Sequence, residues 1–407
     1  MKWGKDYKMK AILNGRILLP DREIKDKALL YDEKIIGLAD EKSALMEAEE
    51  MIDADGAYVS PGLIDVHVHG YAGTDVSDGC PDGIRRMAHF LLQNGVTGFL
   101  PTSLTVGWDR LENICEHIRG LMEESDSSGF SGSQILGMHM EGPFINPAKK
   151  GAHNPDYILL PDAEKVLPFA DVIRVITYAP EMPGGKEFTG TLLDKTNIAL
   201  SIGHTNATYE QAMDVIRQGV TRVTHIFNAM TGLHHRDPGV VGAALSTDIY
   251  AELIADTFHV KESLFPLMVK IKGDKLVLIS DALCSAGMPD GEYENGGQTF
   301  ILKGNECRLK DGTIAGSVLR LNNAVKNLRN YACLPMYKAV RAASLNAAES
   351  VNLDQFKGSL TPGKDADIVL LDDDCQVIRT IVKGTTKYLA YQSKSMIMEG
   401  TIGCTGE

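Results

Sequence analysis

Between residues 63 and 280 the chain sets out eight short apolar runs of strand character, spaced by longer stretches of which several carry helical periodicity. The runs are Leu63 to His67, Val96 to Pro101, Ile135 to Met140, Val172 to Tyr178, Ile198 to Gly203, Arg222 to Phe227, Ala251 to Ala255 and Lys275 to Ser280. Amphipathic segments at Gly83 to Gln93, Arg110 to Met122, Tyr209 to Gln218 and Lys261 to Ile271 fall between them. Strands that alternate with helices build a parallel sheet, because each parallel strand is re-entered through a long crossover. Eight such units predict an α/β fold, a (β/α)8 TIM barrel.

The 407 residues exceed one barrel of roughly 250 residues, so a second, smaller domain is expected. Short alternating runs at Ala11 to Leu19, Ala28 to Leu38 and Gly56 to Val59 open the chain, and Asp367 to Leu371 and Gln376 to Val382 read the same way near its end. A Gly358/Pro362/Gly363 cluster punctuates the entry to the latter. The two ends therefore predict one small β domain from residues 1–60 and 351–407, around a barrel of residues 61–350. Segment 126–132, DSSGFSG, reads as a polar loop without chemistry, and the tail after Lys383 shows no motif.

With 41 Lys and Arg against 54 Asp and Glu, the net charge of −13 gives no electrostatic reason to expect nucleic acid or an anionic membrane. Seven scattered cysteines, none spaced as CxxC, indicate neither a disulfide framework nor a thiolate zinc site, and suit a reducing cytoplasm. The charged start MKWGKDYKMK and the lack of a long apolar stretch read as a soluble, unexported chain.

Active sites of such barrels are assembled at the carboxyl ends of the strands. His67, Glu141, His204, His225 and Asp281 fall at the ends of runs one, three, five, six and eight. His69 lies two residues beyond His67, so both point to one side of an extended strand and reach the same ion. Imidazoles and carboxylates suit a divalent metal, zinc or ferrous iron, one or two per subunit, and an open coordination position makes such a site catalytic. Each residue has a plainer reading: backbone-satisfied histidines, a Glu141 paired with Arg or Lys, an Asp281 capping the next helix. The number of coincident strand ends favours the metal.

At these positions the chain resembles the amidohydrolase superfamily, and within it the N-acetylglucosamine-6-phosphate deacetylase branch. The resemblance is carried by PGLIDVHVHG, HMEGPFINPAKKGAHNP, SIGHTNATYEQA, VTHIFNAMTGLHHRDPGVVGAAL, ELIADTFHV, LISDALCSAGMPDGEY and GSLTPGKDADIVLL. It implies a barrel flanked by a β-sandwich, and release of acetate from a phosphorylated amino sugar. It implies metal ligation by Glu141, His204 and His225, with His67 and His69 holding a second ion. Tyr178-Ala179-Pro180 ends strand four without the bridging lysine of other branches, which leaves Glu141 as the bridge.

Asp281, after the last run, is placed both to touch the metal and to accept a proton from water, then to return it to the departing amine; the resemblance further implies that His153 lies near the acetyl carbonyl, where a donor stabilises the developing oxyanion. Asn228, Ala229, His259 and Arg236 are implied at the sugar phosphate, with Arg236 crossing from the other subunit of a homodimer. On residues alone, Arg236 in the run 234–237 reads as a solvated loop charge. Thr257-Phe258 and the segment 318–321 depart from the family pattern and bear on gluco against galacto configuration, so an N-acetylgalactosamine 6-phosphate deacetylase, or another superfamily hydrolase, is the alternative. Cys284 reads as packing.

Overall fold

The computed structural model describes residues 9–295 and 297–390. The eight barrel strands are Leu63–Val68, Val96–Ser103, Met138–Glu141, Ile173–Tyr178, Ala199–Ile202, Arg222–Val223, Tyr250–Ile254 and Leu276–Ile279, each parallel to the next. Closure between the last and the first comes from the Asp281 N–H, which donates to the His67 carbonyl at 2.9 Å. That bond joins two of the residues singled out above at the carboxyl mouth.

Two runs depart most from their apolar patterns. The third breaks at Gly137, held at φ 135° where an added Cβ would lie 2.3 Å from Arg174, so Gln134–Ile135 and Met138–Glu141 are separate strands. The sixth stops at Val223, because His225 (φ 29°) and Phe227 (φ 80°) adopt left-handed backbone.

Helix Tyr209–Gln218 shows how local chemistry sets a boundary. The Thr208 hydroxyl accepts from the Gln211 N–H while the Gln211 side chain accepts from the Thr208 N–H, a capping box. Ala212 and Val215 face the barrel, and Gly219 stops the helix. Among the described residues no helix is long and apolar enough to cross a membrane.

Both chain ends build the second domain. A four-stranded sheet orders Ile35–Ala39, Ala28–Tyr31, Lys10–Leu13 and Glu50–Asp53; a six-stranded sheet orders Thr385–Leu389, Val377–Val382, Ile368–Leu371, Tyr58–Pro61, Arg16–Leu18 and Glu23–Ile24. Val59 lies opposite Leu370, and Ile12, Ile17, Leu29, Ile368 and Ile381 pack between the sheets as a sandwich core. The tail after Lys383 thus supplies an edge strand, while Cys404 lies outside the described residues.

One element has no counterpart in the strand and helix pattern set out above. A three-stranded antiparallel sheet, Gly291–Asn295, Gln298–Lys303 and Glu306–Leu309, follows the eighth barrel strand, and Cys284 is buried against its Phe300 and Cys307.

Buried Lys357 donates to Asp365 at 2.8 Å and Asp367 at 2.7 Å beneath the sandwich. Lys357→Met would leave buried Asp367 without its cationic partner and Asp365 with Lys34 alone, and the expected loss is about 3–5 kcal/mol, read as a lowered Tm. Burial raises the Asp365 carboxyl, but Lys357 and Lys34 together outweigh it and hold the group below its ordinary value. A folded-state pKa depressed in this way stabilises above about pH 4 and is lost as the pH falls through the folded value. The melts of wild type and variant should therefore converge in acid; a constant gap would contradict the pairing.

Candidate active site

Three candidate ligand positions follow their strands in left-handed backbone: His204 at φ 46°, His225 at φ 29° and Asp281 at φ 50°. Such conformations cost a non-glycine residue on the order of 1–3 kcal/mol and cluster where function demands them. Each turns the side chain from the strand line into the barrel mouth. Gly142 at φ 77° plays the complementary part after Glu141, since an added Cβ would meet the Thr105 hydroxyl at 2.2 Å.

All side chains in the cluster are buried. Glu141 is surrounded by imidazole Nε2 atoms: His225 at 3.0 Å, His69 and His153 at 3.2 Å, His204 at 3.3 Å and His67 at 3.4 Å. No Arg or Lys pairs with Glu141 among the described residues. The Asp281 carboxylate lies 3.2 Å from His69 Nε2 and 3.4 Å from His67 Nε2 and caps no helix.

Hydrogen bonds on the far side of the rings set their orientation. Nδ1–H of His69 donates to the Thr102 carbonyl, that of His204 to the Lys149 carbonyl and that of His67 to the Glu252 carboxylate. Each Nε2 is thereby turned inward. His67 and His69 Nε2 lie 3.1 Å apart, and His204 and His225 Nε2 3.0 Å apart. Two lone pairs repel at such range and two N–H groups collide, so a cation shared among the rings relieves the crowding.

The electrostatics point the same way. Burial opposes charge on these rings, yet Glu141 and Asp281 raise His67, and hydrogen bonds to Asp281 and Glu141 bring His69 up to about 9. The carboxylates create a field that favours positive charge. Donor type and field together suit a divalent metal ion; His67, His69 and Glu141 form one group whose ligand atoms lie close enough to hold one, and Glu141, His153 and His204 form another.

His153 differs from the others. Its Nδ1 accepts the Thr105 N–H at 3.0 Å, and burial pushes the ring down to about 4, so a neutral His153 carries its proton on Nε2. It is a fixed donor facing Glu141.

A cavity of about 370 Å³ opens over this floor, lined by His69, Glu141, His153, His204, His225 and Asp281, with Asn228, Ala229 and His259 further along its wall. His259 is fixed by Asp256, which takes its Nδ1–H at 2.6 Å and also accepts the Phe258 and His259 N–H groups. Gln298 and Phe300 of the unanticipated sheet, with Ile314, also line it. Arg236 does not; it is exposed beside His235. Thr257, at φ 68° where glycine would be unstrained, and segment 318–321 also lie off the lining.

Glu252, Arg222 and Asp256 were not singled out from sequence. Their signal was a charged residue inside or beside an apolar strand, which is rarely buried unless paired.

The amidohydrolase family model matches residues 58–387. The chain belongs to the amidohydrolase family. This amidohydrolase is 36% identical to an N-acetylglucosamine-6-phosphate deacetylase of Lysinibacillus sphaericus, covering 87% of this chain and 91% of the relative. It is 34% identical to an N-acetylgalactosamine-6-phosphate deacetylase of Escherichia coli O157:H7, covering 82% and 88%. Its fold is similar to the crystal structure of N-acetylglucosamine-6-phosphate deacetylase from Pasteurella multocida, with a TM-score of 0.88, 30% identity and coverage of 93% and 99%.

Proposed function

We propose that this amidohydrolase hydrolyses N-acetylglucosamine 6-phosphate to glucosamine 6-phosphate and acetate. The observation that carries the reading is the convergence of Glu141, Asp281 and the imidazoles of His69, His153, His204 and His225 on the floor of one cavity, with His67 buried behind them, where His259, Asn228 and Ala229 form the wall. Kinship with deacetylases of phosphorylated N-acetyl sugars supports the substrate class.

Glu141, His204 and His225 would hold one divalent ion, zinc or ferrous iron, and His67 and His69 would share Glu141 with a second. When bound, such an ion brings the pKa of water toward about 7 and polarises a carbonyl. Asp281 then takes the proton of the attacking water. Burial raises the Asp281 carboxyl, but His67 and the hydrogen bond from His69 outweigh it and keep it below its ordinary value, hence ionised and ready to accept. His153 donates its Nε2–H to the acetyl oxygen as that oxygen becomes anionic. Asp281 returns the proton to the sugar nitrogen as the C–N bond breaks, so water adds across the amide and the balance closes.

The phosphate is held by Asn228, Ala229 and His259, and Arg236 reaches the pocket of the other subunit in a homodimer. The exposure of Arg236, outside its own chain's cavity, supports that placement. The scattered cysteines, none spaced as CxxC, support a cytoplasmic setting.

Acetate release from a panel of gluco and galacto N-acetyl sugars, each with and without the 6-phosphate, tests the reading. The largest kcat/KM is expected for N-acetylglucosamine 6-phosphate; a larger value for the galacto epimer reassigns the substrate, and no release from any phosphorylated sugar refutes it. Arg236→Ala should raise KM for the phosphorylated sugar about 10–100-fold and leave the unphosphorylated one nearly unchanged. Equal effects on both would contradict phosphate recognition.

A further inference from the structure

We infer that the buried Arg222–Glu252 pair is a positioning device that aims His67 at the ion and ties it to the backbone of His225; the inference rests on the metallohydrolase reading above. One Glu252 oxygen accepts both the His67 Nδ1–H at 3.0 Å and the His225 backbone N–H at 3.2 Å. The other accepts from Arg222. Arg222 in turn donates to the Ser350 carbonyl at 3.0 Å and hydroxyl at 2.7 Å, which anchors the chain of contacts to the end of helix Leu345–Glu349. A single carboxylate thus joins His67, near the end of strand one, to His225, just past strand six.

Two features separate this pair from ordinary core polarity. Both side chains are fully buried, and Arg222 Nε has no hydrogen-bond partner among the described residues, so the pair carries a desolvation cost that its mutual attraction roughly offsets at best. Stability alone gives it little reason to exist. His69 and His204 rest their Nδ1–H on neutral carbonyls, whereas His67 rests on an arginine-balanced carboxylate, which fixes the tautomer and makes Nε2 a stronger donor. A second ring completes the constraint. His139 packs edge-on against His67 at 4.5 Å and is pinned by the Val66 carbonyl and by Thr177, whose hydroxyl continues to Thr224 and Ser201.

The test uses the double variant Arg222→Met/Glu252→Leu, which removes both charges without leaving one buried alone, and His67→Ala as reference. Zinc content and zinc affinity are measured by competition with a chromophoric chelator. The double variant should bind the His67-held zinc about 10–100-fold more weakly while retaining the zinc at Glu141, His204 and His225. Wild-type zinc binding in the double variant, with loss in His67→Ala, would overturn the positioning role; unchanged binding in His67→Ala would overturn it as well. Wild-type protein that binds no zinc would instead sink the metallohydrolase reading. Should the double variant not fold, ¹⁵N-histidine spectra of zinc-loaded wild type decide: a His67 proton on Nδ1 supports the inference, and one on Nε2 overturns it.

Discussion

Asp281→Asn is expected to keep its metal and lose turnover by about 10²–10⁴-fold. Asparagine matches aspartate in shape, so the backbone bond from residue 281 to the His67 carbonyl, and the Ser317 N–H that donates to the Asp281 carbonyl at 2.7 Å, both persist. Barrel closure is therefore preserved while the proton acceptor is removed. The amide can neither take a proton from water nor return one to the leaving amine, so kcat falls with KM little changed. Steady-state acetate release together with metal content checks this; near-normal kcat at full occupancy would remove Asp281 from the role.

Glu141→Ala is expected to do something different, which is to release the metal. Five imidazole Nε2 atoms lie within 3.4 Å of this carboxylate, and no other acid occupies the same position between the two halves of the cluster. Its removal takes a ligand from both proposed ions and leaves the rings facing one another uncompensated. Metal affinity should fall by more than the ~10–100-fold typical of an outer-shell partner, with activity at background. A variant that keeps stoichiometric metal would show that Glu141 is not the bridge.

Much of this was legible in the order of residues because a parallel barrel converts strand ends into a single surface. His67, Glu141, His204, His225 and Asp281 are far apart in sequence, and only that topology brings them together. The sandwich was legible because its strands alternate; Val59 and Leu370 face one core from opposite ends of the chain.

What escaped followed different rules. Glu252 and Arg222 sit within strands, and their pairing depends on the adjacency of strands six and seven, which becomes visible once barrel order is known. Their charge inside apolar runs was a usable sign. The sheet of residues 291–309 had alternation in Gln298–Lys303 between two glycine-bearing turns, yet it interrupts the βα pattern and was masked by it. The sixth run was overread because apolar character continues through Ile226 and Phe227 after the backbone has turned left-handed. Arg236 lies on an exposed loop, and its proposed partner is another subunit.

The most direct test of the central claim is acetate release from N-acetylglucosamine 6-phosphate before chelation, after it, and after zinc or ferrous iron is restored. Loss of activity on chelation and its recovery with one or two ions per chain is the result expected. Full hydrolysis by protein stripped of metal would contradict it.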